Sequence, residues 1–161
     1  MSDPIHILRP SAPRRVFGLI VQMVLGAVLL YLAAVYPPTD LGWRLFLIVL
    51  GLAALFLGMR GWHGSSVAIL LDDGGLRQED GTIIAPLSEI ASVDRALFTF
   101  KPSNGFIIRL HSPLGRAWVP GMWWRLGKRI GIGGVTSGAE TKIMADALSM
   151  MVAARDGGEQ P

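Results

Sequence analysis

Residues 127–134 read GKRIGIGG, two cations among four glycines, the composition of a loop that cradles phosphate. The spacing argues against that chemistry. A nucleotide loop needs G-x-x-x-x-G-K-[ST], whose hydroxyl holds magnesium. Here five residues separate Gly121 from Gly127, and Arg129 stands where Ser or Thr belongs. The run GIGGVT over 131–136 does not complete G-x-G-x-x-G, and no strand-to-helix crossover surrounds it. The three histidines, His6, His63 and His111, are isolated from one another, and with no cysteine there is neither a thiol nucleophile nor a thiolate metal site. Asp72, Asp73, Glu79 and Asp80 gather in two adjacent turns without the ligand spacing of a calcium loop, and read as solvated turn carboxylates. No Ser-His-Asp context and no H-E-x-x-H are present. The sequence therefore points away from an enzyme and implies no cofactor and no metal.

Charge is segregated instead. Residues 72–94 hold six acids and one arginine, whereas 95–139 hold seven cations and no acid: Arg95, Lys101, Arg109, Arg116, Arg125, Lys128 and Arg129. Two outcomes are open. The halves neutralise one another across a sheet, or the cations form a basic face toward an anionic surface. In the second case Trp123, Trp124, Arg125, Lys128 and Arg129 form the interaction surface, for lipid headgroups or for a protein partner. Tryptophan sits comfortably at headgroup depth, and Trp and Arg also dominate protein hot spots. Nucleic acid is not expected, because residues 60–161 carry eleven Lys/Arg against ten Asp/Glu and no nucleic-acid motif.

The elements that must carry this surface start with two apolar runs. The chain is 51% hydrophobic and only 17% charged, where about a quarter is usual, and the excess lies in the first third. Val16–Tyr36 is an uncharged stretch spanning about 31 Å as a helix, enough for a hydrocarbon core. Pro37-Pro38 stops it and Thr39-Asp40 turns the chain. The second run, Leu45–Met59, is short alone, but counting the interfacial Trp43 and Trp62 at its edges makes a span over about 43–60. Arg14, Arg15, Trp43, Arg60 and Trp62 are the expected interface anchors. Arg9, Arg14 and Arg15 before the hairpin and Arg60 after it outweigh Arg44 in the turn, which places both termini in the cytoplasm. The twin arginines before Val16-Phe17 resemble an export signal, but the apolar run is too long for one and a second span follows. Gly18, Gly26, Gly51 and Gly58 either let the helices approach closely or are ordinary membrane-helix glycines.

From Ser66 the pattern changes to short strands with turn punctuation. Strands are expected over 67–71, 76–79, 82–85, 91–100, 106–111 and 116–119, with a helical turn at 86–90 and a loop at 101–105. Asp72-Asp73-Gly74-Gly75 and Asp80-Gly81 are the turn signals. The strands 106–111 and 116–119 are expected to pair across Ser112–Gly115, and 129–135 is the last strand. A helix follows, opened by a Ser137/Glu140 capping box. Its buried stripe is Ile143, Met144, Ala147, Leu148, Met151 and Val152, and Gly157-Gly158 ends it. The domain organisation is an irregular arm over 1–15, a two-helix transmembrane hairpin over 16–60, an α+β cytoplasmic domain over 62–155 and a polar tail over 156–161.

The strand VAILL, the hairpin LRQEDGTIIAP, the turn PLSEI with Ile90 and Val93, and GIGG before SGAETKIMADAL together resemble the bacterial pleckstrin-homology-like domains attached to two-span hairpins. The resemblance implies an antiparallel barrel or sandwich closed by the C-terminal helix, in a bacterial inner-membrane protein. It carries no functional residues over. The functional expectation is a non-enzymatic membrane protein whose module binds inner-leaflet headgroups or a membrane-protein partner. A small accessory or assembly subunit of a larger membrane complex is the competing reading, and a lipid-modifying enzyme a distant third.

Overall fold

A computed structural model describes residues 4–94 and 105–158. Arg95, Lys101, the continuation of the strand to Phe100, the loop at 101–104 and the end of the polar tail lie outside the described residues. The chain divides into two compact units, Ala12–Gly64 and the remainder.

The first unit is a helical hairpin, α1 (Ala12–Val35) and α2 (Leu41–Gly64), each helix long and apolar enough to cross a membrane. Both exceed the lengths expected from sequence. Pro13 is tolerated in the first turn of α1, where its missing N–H has no intrahelical partner in any case. Asp40 starts α2: its Oδ1 accepts the Trp43 N–H at 3.2 Å, the geometry of an N-cap. Along the seam the glycines have different roles. A methyl group at Gly26 would meet Leu55 at 2.6 Å and the Gly51 carbonyl at 2.9 Å, and one at Gly58 would meet Met23 at 2.8 Å. Gly18 has nothing within 4 Å. Three of the four therefore set the helix separation, and Gly18 does not.

Among the described residues, the second unit has nine strands in two antiparallel sheets. The strands are β1 (His6–Leu8), β2 (Ile69–Asp72), β3 (Gly75–Gln78), β4 (Ile83–Pro86), β5 (Ile90–Asp94), β6 (Phe106–Leu110), β7 (Ala117–Val119), β8 (Trp123–Leu126) and β9 (Arg129–Ile132). One sheet has the order β1-β2-β3-β4 and the other β5-β6-β9-β8-β7. Turn chemistry explains the first sheet. Asp72 Oδ1 accepts the Gly74 N–H at 2.9 Å, and Asp80 Oδ1 accepts the Thr82 N–H at 2.9 Å. Both acids fix the hairpins that β2–β3 and β3–β4 require. The 3-10 turn Leu87–Glu89 then carries the chain to the other sheet.

Two expectations are corrected. The arm before the hairpin is not irregular throughout: His6, Ile7 and Leu8 pair with Leu71, Leu70 and Ile69, and Leu8 is fully buried. Three residues among prolines are too few to show a strand period, so the pairing depends on β2, which lies beyond the hairpin. Nor do β6 and β7 form a hairpin. β6 pairs with β5 and β9, while β7 pairs only with β8. Ser112-Pro113-Leu114-Gly115 is thus a crossing loop over the end of β9 and β8.

The core lies between the sheets, with Phe106, Ile108, Ile130, Ile132, Ile69, Leu71 and Ile84 fully buried or nearly so. Helix α3 (Gly138–Gly157) packs on β1, β5 and β6, strands from both sheets. Its buried residues are Thr141, Met144, Ala145, Leu148 and Val152, a helical stripe displaced from the expected one, and Ile143 is 55% exposed. Ser137 is the N-cap residue, but its side chain makes no cap hydrogen bond. The Ser137 carbonyl accepts both the Thr141 N–H at 2.9 Å and the Thr141 Oγ1 hydroxyl at 2.7 Å.

Because Leu8 and Ile69 are register partners, a short Gly/Ser link in place of Ala12–Gly64 should leave a folded, cooperative domain. A fragment starting at Trp62 lacks β1 and should show no cooperative thermal transition by circular dichroism. In the hairpin, Gly51→Val should destabilise helix pairing in detergent by about 1–3 kcal/mol. Gly18→Val should leave the same thermal melt unchanged.

Candidate functional site

The segment 119–135 is a folded hairpin of strands. Val119-Pro120-Gly121-Met122 is a tight turn, closed by the Met122 N–H donating to the Val119 carbonyl at 3.1 Å. Proline at the second position and Gly121 at φ 78 give it a type II signature. β8 and β9 then pair, Leu126 with Arg129, around the two-residue loop Gly127-Lys128. Gly133 and Gly134 follow, where the chain passes so close to Gly121 that a methyl at Gly134 would collide with the Gly121 carbonyl. The glycines that resemble a phosphate loop serve the strands instead, Gly127 in the hairpin loop and Gly133 and Gly134 at this crossing.

Strand period divides the expected surface residues. Trp123 pairs with Ile132 and points inward, only 2% exposed, within the same core as Phe106 and Ile130. It belongs to the core and not to a surface. Its Nε1 is buried without a hydrogen-bond partner, and the Arg125 guanidinium lies 5.9 Å from its ring centroid, at cation–π distance. Arg125, on the same inward phase, is likewise not a free surface cation. Its Nε donates to the Gly115 carbonyl at 2.6 Å, and its Nη1 to Ile84 at 2.9 Å and Ile83 at 3.2 Å. The last two belong to β4, the edge strand of the other sheet, so Arg125 ties the two sheets together by satisfying edge carbonyls.

The opposite phase forms the exposed face. Trp124 pairs with Trp118 on β7 and with Gly131 on β9, so these residues share one cross-strand row with Ile107 and Asp94. The Trp124 indole occupies the space a Gly131 side chain would need, so glycine there lets the ring lie over β9. Trp118 is 54% and Leu126 56% exposed. The next row runs Ser92, Arg109, Arg129, Leu126. Lys128 and Arg129 are exposed, as is Arg116 beside β7. A shallow groove of about 450 Å³ is lined by Arg116, Ala117, Trp118, Trp124, Arg125 and Leu126.

Of the five expected surface residues, Trp124, Lys128 and Arg129 are on or beside this face. Sequence reasoning missed Trp118, Leu126, Arg109 and Arg116 as their neighbours. The alternation of Trp124 and Leu126 within WWRL carried the signal, had β8 been recognised as a strand. The charge halves do meet where Arg109 Nη2 lies 3.4 Å from Asp94 Oδ2. Arg77, the lone cation of the acidic half, pairs with Asp72 at 2.6 Å.

In the hairpin unit the structure brings two expected anchors together. The Arg15 guanidinium lies 4.6 Å from the Trp62 ring centroid, and its Nη2 donates to the Trp62 carbonyl at 2.9 Å. Arg14 and Arg60 are exposed near the same helix ends. Trp43 lies toward the other end, edge-on to Phe46 at 5.6 Å. Among the described residues, no cluster of three or more His, Cys, Asp or Glu is placed to hold a metal ion. Comparison with family models, curated proteins and solved structures finds no match to this chain.

Arg125→Gln should lower stability by about 2–3 kcal/mol, because three carbonyls lose a charged donor. Lys128→Gln, exposed at the loop, should stay within about 0.5 kcal/mol of the parent. Thermal unfolding of the two variants in the same detergent checks both values.

Proposed function

We propose that the protein is a non-enzymatic two-span protein of the bacterial inner membrane, with both termini cytoplasmic. Its sheet domain engages the anionic inner leaflet through the exposed face of β7, β8 and β9. The observation that carries this reading is the juxtaposition on one sheet face of Trp118, Trp124 and Leu126 with Arg109, Arg116, Lys128 and Arg129. Tryptophan favours headgroup depth, and each cation near an anionic leaflet contributes about 1 kcal/mol. The lengths and apolar character of α1 and α2 support the membrane setting, and the excess of arginine outside the Pro37–Asp40 turn supports the orientation. Two antiparallel sheets closed by one C-terminal helix fit the pleckstrin-homology-like reading of the domain.

The competing reading, an accessory subunit of a membrane complex, draws on the same tryptophans and arginines as a protein hot spot. Hydrogen exchange of the full chain in nanodiscs separates the two. Peptides covering 116–129 should exchange more slowly in discs containing phosphatidylglycerol than in neutral discs. The difference should vanish near about 0.5 M salt, where exposed charges are screened. Equal exchange in both discs overturns the lipid reading, and stoichiometric co-purification with other subunits in mild detergent would replace it.

A further inference from the structure

Arg109 and Arg129 are direct register partners on adjacent antiparallel strands, and both are exposed. Like charges placed opposite one another destabilise a sheet, so this pairing is a local cost that an anion between them would relieve. The row continues to Ser92, the register partner of Arg109 on β5, exposed on the same face. One hydroxyl and two guanidiniums thus follow one another along a single cross-strand row. The acid facing this row is Asp94, whose Oδ2 lies 3.4 Å from Arg109 Nη2. An arginine has five donors in a planar fork, so this contact orients Arg109 and leaves other donors available.

The neighbouring row, two residues along each strand and so about 7 Å away, begins at Asp94 and buried Ile107 and becomes an accessible apolar surface at Trp124, lying over Gly131, and Trp118. Leu126 ends the arginine row on the same side as the tryptophans. A small soluble phosphate would use the first row and leave the second wet. A lipid has both parts, a charged phosphate and an adjoining glycerol–acyl region, and so could use both rows.

From this we infer that Ser92, Arg109 and Arg129 form a clasp for the terminal phosphate of a phosphomonoester lipid, with Trp124 and Trp118 against its glycerol and acyl portion. The inference rests on the membrane-facing reading of this sheet and adds selectivity to it. A phosphomonoester presents three terminal oxygens and more than one negative charge, and two arginine forks bind it bidentately. A phosphodiester such as phosphatidylglycerol presents two such oxygens and one charge. Charge density alone would not distinguish arginine from lysine at these positions, whereas a clasp does.

The test uses the full chain in a neutral detergent, with native mass spectrometry reading its occupancy by dioctanoyl phosphatidic acid or dioctanoyl phosphatidylglycerol. The parent should prefer the phosphomonoester by at least about tenfold. Arg129→Lys and Arg109→Lys, which keep charge but lose the fork, should reduce that preference to within about threefold. Lys128→Gln, in the loop beyond the row, should lower binding of both lipids together and leave the ratio unchanged. Thermal unfolding of each variant confirms that it is folded. Equal binding of the two lipids by the parent, or a preference that survives both lysine variants, overturns the clasp and leaves the membrane-facing surface standing. Binding of neither lipid overturns both. Glycerol 3-phosphate competing as well as phosphatidic acid on an equal molar basis would overturn the lipid as the source of the phosphate.

Discussion

Side chains on a β-strand alternate between its two faces, and in β8 that alternation decides what each residue is free to do. Trp123 and Arg125 fall on the inward phase, Trp124 and Leu126 on the outward one. The inward pair serves cohesion. One fills the space between the sheets, and the other carries its charge to the carbonyls of β4, which among the described residues has no strand beyond it. The outward pair is left with Trp118 on β7 and Arg129 on β9 as lateral neighbours. Had β8 slipped by one residue, a guanidinium and an indole would have exchanged environments and neither sheet would close.

A second constraint comes from chain order. β1 precedes α1, β2 follows α2, and the two strands are register partners. The apolar hairpin is therefore an insertion between adjacent strands of one sheet. Its two ends enter and leave the domain through strands that are hydrogen-bonded to each other, and Leu8 contributes to the core from the far side of that insertion. A domain boundary drawn after the second helix would remove one edge of the first sheet.

Much of this architecture was legible from residues alone, for reasons that can be named. VAILL, LRQ and TIIA show as strands because Asp72–Gly75 and Asp80-Gly81 punctuate them, and α3 shows through its helical spacing before Gly157-Gly158. The long apolar runs need only counting. Other features depend on partners distant in sequence. HIL becomes a strand only when ILLD is beside it. The pairing of β6 with β9 instead of β7 is set by the sheet, as local turns would have favoured the nearer strand. The face of each tryptophan was hidden for a simpler reason: adjacent Trp123 and Trp124 must point opposite ways on a strand, and reading them as one patch assumed they did not. Ser137 and Glu140 match a cap motif, yet the Ser137 side chain makes no cap hydrogen bond, since a spacing rule does not specify the rotamer that would reach the free N–H groups.

The insertion also imposes a timetable on synthesis. β1 leaves the ribosome early, but its partner Leu71 is not made until both apolar helices have been. At about 5–20 residues per second, His6 waits roughly 3–13 seconds for the strand that shelters it. During that interval Ile5, Ile7 and Leu8 have no sheet to join, while both apolar helices are already made. The sheet can close only after the hairpin has been synthesised, so the order of the genetic message makes completion of the two helices a step that precedes completion of the domain.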